Sequence, residues 1–157
     1  MCGFTGFVSR SAPDVDALHA MGDSIRHRGP DEEGHYVDEH CAIAHRRLSI
    51  IDLANGHQPM SSPDGRYVLA YNGEIYNFQD LRRELEAVGH TFLTNSDTEV
   101  LLHGYMEWGT GVTGKLRGMF AFVIWDRERQ ELFGARDPFG IKPFYYAVMG
   151  DLFFFGS

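Results

Sequence analysis

The chain begins with a short apolar run, "GFTGFVS", whose Phe and Val positions alternate loosely and predict a strand over residues 3–9. The period then changes. After Pro13, suited to a first helical turn, Val15, Leu18, Gly22 and Ile25 recur at helical spacing as far as Arg26. "HRGPDEEG" interrupts that pattern, and its Gly29 and Pro30 predict a loop carrying His27, Arg28 and Asp31. Residues 41–51, "CAIAHRRLSII", read as a strand with a polar interruption. "RYVLAYNGEIYN" reads as another that runs into a turn at Asn72 and Gly73.

The middle of the chain is helical. Phe78, Leu81, Leu85 and Val88 share one face, with Asn77 placed to cap the helix and Gly89 to end it. Ser96 and Glu99 have the spacing of a capping box and open a further helix through Leu101, Tyr105 and Trp108. From residue 119 the pattern is strand after strand. The continuous apolar run 119–125 predicts a strand covered on both faces, followed by "LFGA", "FYYAV" and "LFFF" between the turns "RERQ", "DPFG" and "MGD". Strands, helices and strands again give an α+β fold with a buried sheet. Because the chain stops directly behind an apolar strand, at "LFFFGS", further residues are expected in the parent protein.

Composition narrows the function. With 157 residues, 43% of them hydrophobic, the chain can build one domain with a substantial core. A net charge of -8 argues against a nucleic-acid partner. Two cysteines, Cys2 and Cys41, are too few for a disulfide framework, and no signal segment or long apolar stretch is evident; a cytoplasmic setting is expected, with no membrane role.

The candidate chemistry starts at Cys2. If Met1 is removed, this residue carries a thiol and a free α-amine whose pKa is about 7.7–8.0, so one residue can supply both nucleophile and base. Gly3 behind it permits close approach of substrate or backbone. Attack on a carbonyl needs donors for the oxyanion, and the Asn72 amide with the Gly73 N–H could supply them, although an ordinary Asn-Gly turn explains the same pair. Arg47, among apolar neighbours, suits a bidentate clamp on a carboxylate or equally a salt bridge within the protein. Asp97, at a helix start, has dipole compensation as its simpler reading. His19, His27, His35, His40, His45 and Cys41 match no compact ligand motif, so no metal is expected; no phosphate-binding GxxxxGK[ST] loop is present either.

Seven strings taken in order, "MCGFTGF", "HRGPDEEG", "HRRLSIIDL", "YNGEIYNF", "SDTEVLLHGY", "LRGMFAFVIWD" and "ARDPFGIKPFYY", resemble the glutaminase (class II glutamine amidotransferase) domain of glutamine-dependent asparagine synthetases. The resemblance implies an N-terminal-nucleophile hydrolase fold, an αββα sandwich of two antiparallel sheets between helical layers, over residues 1–157. It implies Cys2 as the nucleophile attacking the side-chain amide of L-glutamine, and Asn72 and Gly73 as the oxyanion hole. Arg47 would grip the α-carboxylate, Asp97 with the neighbourhood of Glu74 the α-amine, and Leu48, Ser49, Ile50 and Ile51 would line the pocket. The family's ATP- and Mg-dependent synthetase domain has no counterpart in this chain, which therefore needs no cofactor of its own. The implied partners are L-glutamine and a covalently linked synthetase domain, with room for a homodimer. Antibiotic-pathway and polysaccharide-associated amidotransferases share the pattern, and a silent docking module would use the same fold.

Overall fold

A computed structural model describes residues 2–48 and 56–157. Its strands are β1 (Gly3–Val8), β2 (Glu32–Val37), β3 (Cys41–Arg47), β4 (Met60–Ser61), β5 (Tyr67–Ile75), β6 (Gly118–Asp126), β7 (Glu131–Arg136), β8 (Tyr145–Met149) and β9 (Leu152–Gly156). The helices are α1 (Val15–Ser24), α2 (Phe78–Ala87) and α3 (Asp97–Trp108), with short 3-10 turns at Arg26–Arg28 and Gly109–Gly114. The strands form two antiparallel sheets, one ordered β2-β3-β1-β9-β8 and the other β4-β5-β6-β7.

Alternation along each strand sends side chains to opposite faces and so creates three apolar layers. Phe4, Cys41, Ile43 and Phe155 of the first sheet meet Val68, Ala70, Val123 and Trp125 of the second. On the outer face of the first sheet, Phe7, Ala42 and Ala44 pack against Leu18 of α1. On the outer face of the second, Leu69, Tyr71, Phe120 and Phe122 pack against Leu81 and Leu85 of α2 and Leu101 of α3. The order helix, sheet, sheet, helices is the expected αββα sandwich. β6 is buried from Phe120 onward, as its unbroken apolar run requires of a central strand.

Three local expectations are corrected. Asn72 and Gly73 form no turn: they lie inside the nine-residue β5, opposite Ala121 and Phe120 of β6. A continuous ladder outweighs the pair's turn preference, and Gly73 is needed for a different reason, since a Cβ there would meet the Met119 carbonyl oxygen at 2.4 Å. Residues 32–37, read as part of a loop or left unassigned, form the edge strand β2; its polar, alternating sequence carries little apolar signal. Asn77 does stand before α2, but its side chain donates to Lys115 O and accepts from Arg117 N instead of capping. Ser96 caps α3 as expected, accepting from Glu99 N at 3.2 Å.

Candidate active site

Cys2 immediately precedes β1, whose pairing of Gly3 with Arg46 sets the thiol beside the end of β3. There Leu48 N donates to Cys2 Sγ at 3.4 Å, and the Sγ lies 3.5 Å from Leu48 O. Arg28 Nη2 donates to the Cys2 carbonyl at 3.5 Å. Gly3 is closely packed: a Cβ would stand 3.0 Å from Arg28 Cβ and 3.1 Å from Ser157 O. Its missing side chain lets neighbouring protein, including the Ser157 backbone, approach closely.

The thiol opens onto a cavity of about 310 Å³ at one end of the sandwich. Of the sequence-predicted residues, Cys2, Arg47, Leu48, Gly73, Glu74 and Asp97 line it together. Ser49, Ile50 and Ile51 lie outside the described residues. A second hollow, about 400 Å³, is lined by residues such as Asp38, Arg66 and Trp125 and includes none of the predicted ones.

Arg47 and Glu74 reach the cavity because both point inward between the sheets, in step with Ile43 on β3 and Ala70 on β5. Across the ladder Arg47 faces Glu32, and its Nη1 donates to Glu32 Oε2 at 2.9 Å. Burial acts to raise the Glu32 pKa, but hydrogen bonds from His57 and Arg47 leave it lowered. Arg47 thus makes the internal salt bridge and also borders the cavity.

Backbone N–H groups of β5 alternate in direction, and two of those facing away from β6 are taken: Tyr71 N donates to Gln58 Oε1 at 2.7 Å and Ile75 N to Asp97 Oδ2 at 3.0 Å. Gly73 lies between them with its N–H on the same edge. Asn72 shares the inward face of β5 with Ala70 and Glu74, is 1% exposed, and does not itself line the cavity. Its Nδ2 donates to Ser157 Oγ at 3.0 Å, and Ser157 Oγ donates to Pro143 O at 2.6 Å. Ser157 also exchanges backbone hydrogen bonds with Phe4, so the amide is held within a residue or two of the Cys2 junction.

Asp97 opens α3, where the helix dipole favours an anion. The same carboxylate accepts from the Tyr71 hydroxyl at 2.8 Å and from Ile75 N, which ties α3 to β5. Desolvation nevertheless raises its pKa, and pushes that of Tyr71 well above normal. An acidic group buried this way favours a cationic visitor.

Sequence reasoning missed Lys142, Tyr71 and Gln58, all on the cavity wall. Lys142 is 4% exposed, and burial lowers its pKa while the Cys2 and Glu74 charges act the other way. It lies in "ARDPFGIKPFYY", where no neighbouring residue marks a lysine as buried. Behind the wall, His45 Nε2 donates to Tyr71 O at 3.0 Å, which fixes the neutral tautomer, and its Nδ1 is buried without a partner. Burial depresses its pKa to about 4. The unfolded chain therefore binds this proton below about pH 6.5 and the folded chain only near 4. Stability is full above 6.5 and is lost as pH falls across that window, by about 3 kcal/mol. Urea titrations at pH 7 and 4 should show a smaller difference in His45→Gln than in the parent; equal differences would remove His45 as the cause.

Comparison with known proteins gives a consistent result. The glutamine amidotransferase domain family model matches residues 1–157. The chain is 50% identical to asparagine synthetase [glutamine-hydrolyzing] 1 of Bacillus subtilis, over 100% of this chain and 26% of that protein, and 44% identical to asparagine synthetase [glutamine-hydrolyzing] 3 of the same organism with the same coverage. It thus spans about a quarter of the length of these relatives. Among solved structures, glutamine phosphoribosylpyrophosphate amidotransferase from B. subtilis, complexed with ADP and GMP, superposes with a TM-score of 0.81 at 25% identity, over 99% of this chain and 41% of that one.

Proposed function

Because the chain belongs to the glutamine amidotransferase domain family, we propose that it hydrolyses the side-chain amide of L-glutamine to L-glutamate and ammonia through Cys2. The observation that carries this reading is the meeting of Cys2, Arg47, Gly73 and Asp97 on one cavity from four separate segments of chain. Ammonia is then destined for ATP-dependent amidation of aspartate by a covalently linked synthetase domain, in the cytoplasm. The length and names of the asparagine synthetase relatives support that assignment. ATP and Mg belong to that domain, not to residues 1–157. Among the described residues no helix is long and apolar enough to cross a membrane.

In this mechanism the α-amine of Cys2, freed by loss of Met1, takes the thiol proton. The thiolate attacks the amide carbon, and the Gly73 N–H and the second N–H of the Asn72 amide stabilise the oxyanion. Collapse breaks the C–N bond, the α-ammonium returns its proton to the leaving nitrogen, and a γ-glutamyl thioester remains. Water, deprotonated by the same amine, releases glutamate and restores the thiol. Arg47 holds the substrate carboxylate; Asp97, with Glu74 nearby, holds its ammonium; Leu48, Ser49, Ile50 and Ile51 complete the pocket.

The direct test is release of glutamate and ammonia in equal amounts from glutamine by purified protein whose mass lacks Met1. Absence of both would overturn the proposal. Ser157 offers a narrower check, since it orients Asn72 without touching the substrate. Ser157→Ala should lower kcat about tenfold with KM within about twofold, and Asn72→Ala should lower kcat by about 10²-fold. An unchanged kcat in both would remove Asn72 from the oxyanion hole.

A further inference from the structure

Two of the histidines whose sequence spacing suggested nothing come together at the exposed outer face of the first sheet, beside α1. Glu33 and His35 are two residues apart on β2 and share one face, pairing with Arg46 and Ala44 of β3. His19 lies across from them on α1, its ring 4.5 Å from that of His35 and nearly perpendicular to it. Nothing separates helix from strand here, because Gly22, one turn after His19, has no side chain. A Cβ at that position would stand 3.2 Å from Ala44 Cβ and 3.7 Å from His35 Nε2.

From this arrangement we infer that His19, Glu33 and His35 form a binding site for one divalent transition-metal ion of the zinc class, which clips α1 to β2. One donor atom from each residue lies within 4.8 Å of the other two, and among the described residues this is the one such group of three. The His35 Nε2 to Glu33 Oε1 separation is 3.0 Å. Tetrahedral ligands at about 2.0–2.1 Å from zinc stand about 3.4 Å apart, so the observed spacing brackets what is needed and small side-chain rotations suffice. Two imidazoles and a carboxylate are the donor set of open zinc sites, with a fourth position for water. That set selects against Mg²⁺ and Ca²⁺, which take oxygen ligands.

The surroundings support a cation. Arg46 pairs through Nη1 with Glu33 Oε2, leaving Oε1 turned toward His35, and through Nη2 with Asp23 Oδ1 at 2.6 Å. The guanidinium charge is thereby matched by Asp23, and the Glu33 charge remains for the ion. Arg46 also fixes the orientation of Glu33, as outer partners do for metal ligands. None of the three ligands lines the cavity at Cys2, so the site is separate from the catalytic one.

The test uses the full chain carrying Cys2→Ala, so that the accessible thiol cannot capture the metal. Zinc sulfate titrated into the metal-free protein should bind at one ion per chain, with Kd on the order of micromolar. His19→Ala and His35→Ala should each weaken binding at least about tenfold and Glu33→Gln about tenfold, whereas exposed His27→Ala should leave it unchanged. At a hundredfold excess of zinc over Kd, Tm should rise by about 5–10 °C, and this rise should vanish in His19→Ala. Cobalt(II) at the same site should give the intense visible absorption of a tetrahedral complex. No saturable zinc binding, or binding indifferent to both histidine substitutions, would overturn the site. Tight binding without a rise in Tm would overturn the clip.

Discussion

Cys2→Ala is expected to lower glutamate release by about 10⁴-fold or more while Tm stays within about 3 °C of the parent. The first figure follows from removing the nucleophile, after which only binding and oxyanion stabilisation of direct water attack remain. The second follows from position. Cys2 is half-buried at the head of β1, and among the described residues its Sγ makes only long contacts to Leu48, so its loss leaves the sheet ladder intact. An electrophilic glutamine analogue should add one equivalent of mass to the parent and none to the variant. Chain purified with Met1 still attached should be nearly as inactive as the variant, because its α-amine is then an amide nitrogen and cannot hold a proton. Substantial turnover by Cys2→Ala would move the nucleophile elsewhere, and turnover by the Met1-bearing chain would require another base.

Asp97→Asn is expected to raise KM for glutamine about 10²-fold and to change kcat by less than about tenfold. The buried carboxylate loses its charge opposite the substrate ammonium, and one oriented ion pair of this kind is worth about 2–3 kcal/mol. Asparagine keeps the shape, and because Tyr71 Oη and Ile75 N both donate to the same oxygen, Oδ2, its one amide oxygen can accept from both. In the parent, burial raises the Asp97 pKa, so the carboxylate begins to protonate at a higher pH than an exposed aspartate would. KM should therefore rise as pH falls through that raised value, and the rise should be absent in Asp97→Asn. A parallel loss of kcat and Tm with KM unchanged would reduce Asp97 to a tie between α3 and β5.

The layers of the fold were legible because each obeys a local rule. β6 is continuously apolar, α2 has one apolar face, and Ser96 marks the start of α3. β2 was not, because its residues satisfy the backbone of β3 at an edge and contribute almost nothing to a core. The Asn72-Gly73 pair misled for a related reason: its turn preference is local, whereas nine pairings with β6 are not. In the site, residues singled out by their own type were legible, since Cys2 and Arg47 do line one cavity. What depended on distant partners was hidden. Glu32 becomes the counter-ion of Arg47 only through the β2–β3 register, Tyr71 meets Asp97 only when α3 docks on β5, and Ser157 reaches Asn72 across most of the chain.

That last contact bears on how the protein is made. β1, which carries the nucleophile, lies between β3 and β9, and Phe4 exchanges hydrogen bonds with Ser157. On the ribosome, β1 and β3 can pair early, but the other flank of β1 is filled only after more than a hundred further residues have been synthesised. Such pairing between sequence extremes is slow. Until then the Asn72 amide lacks the Ser157 hydroxyl that orients it, so that group is among the last around the cavity to be placed.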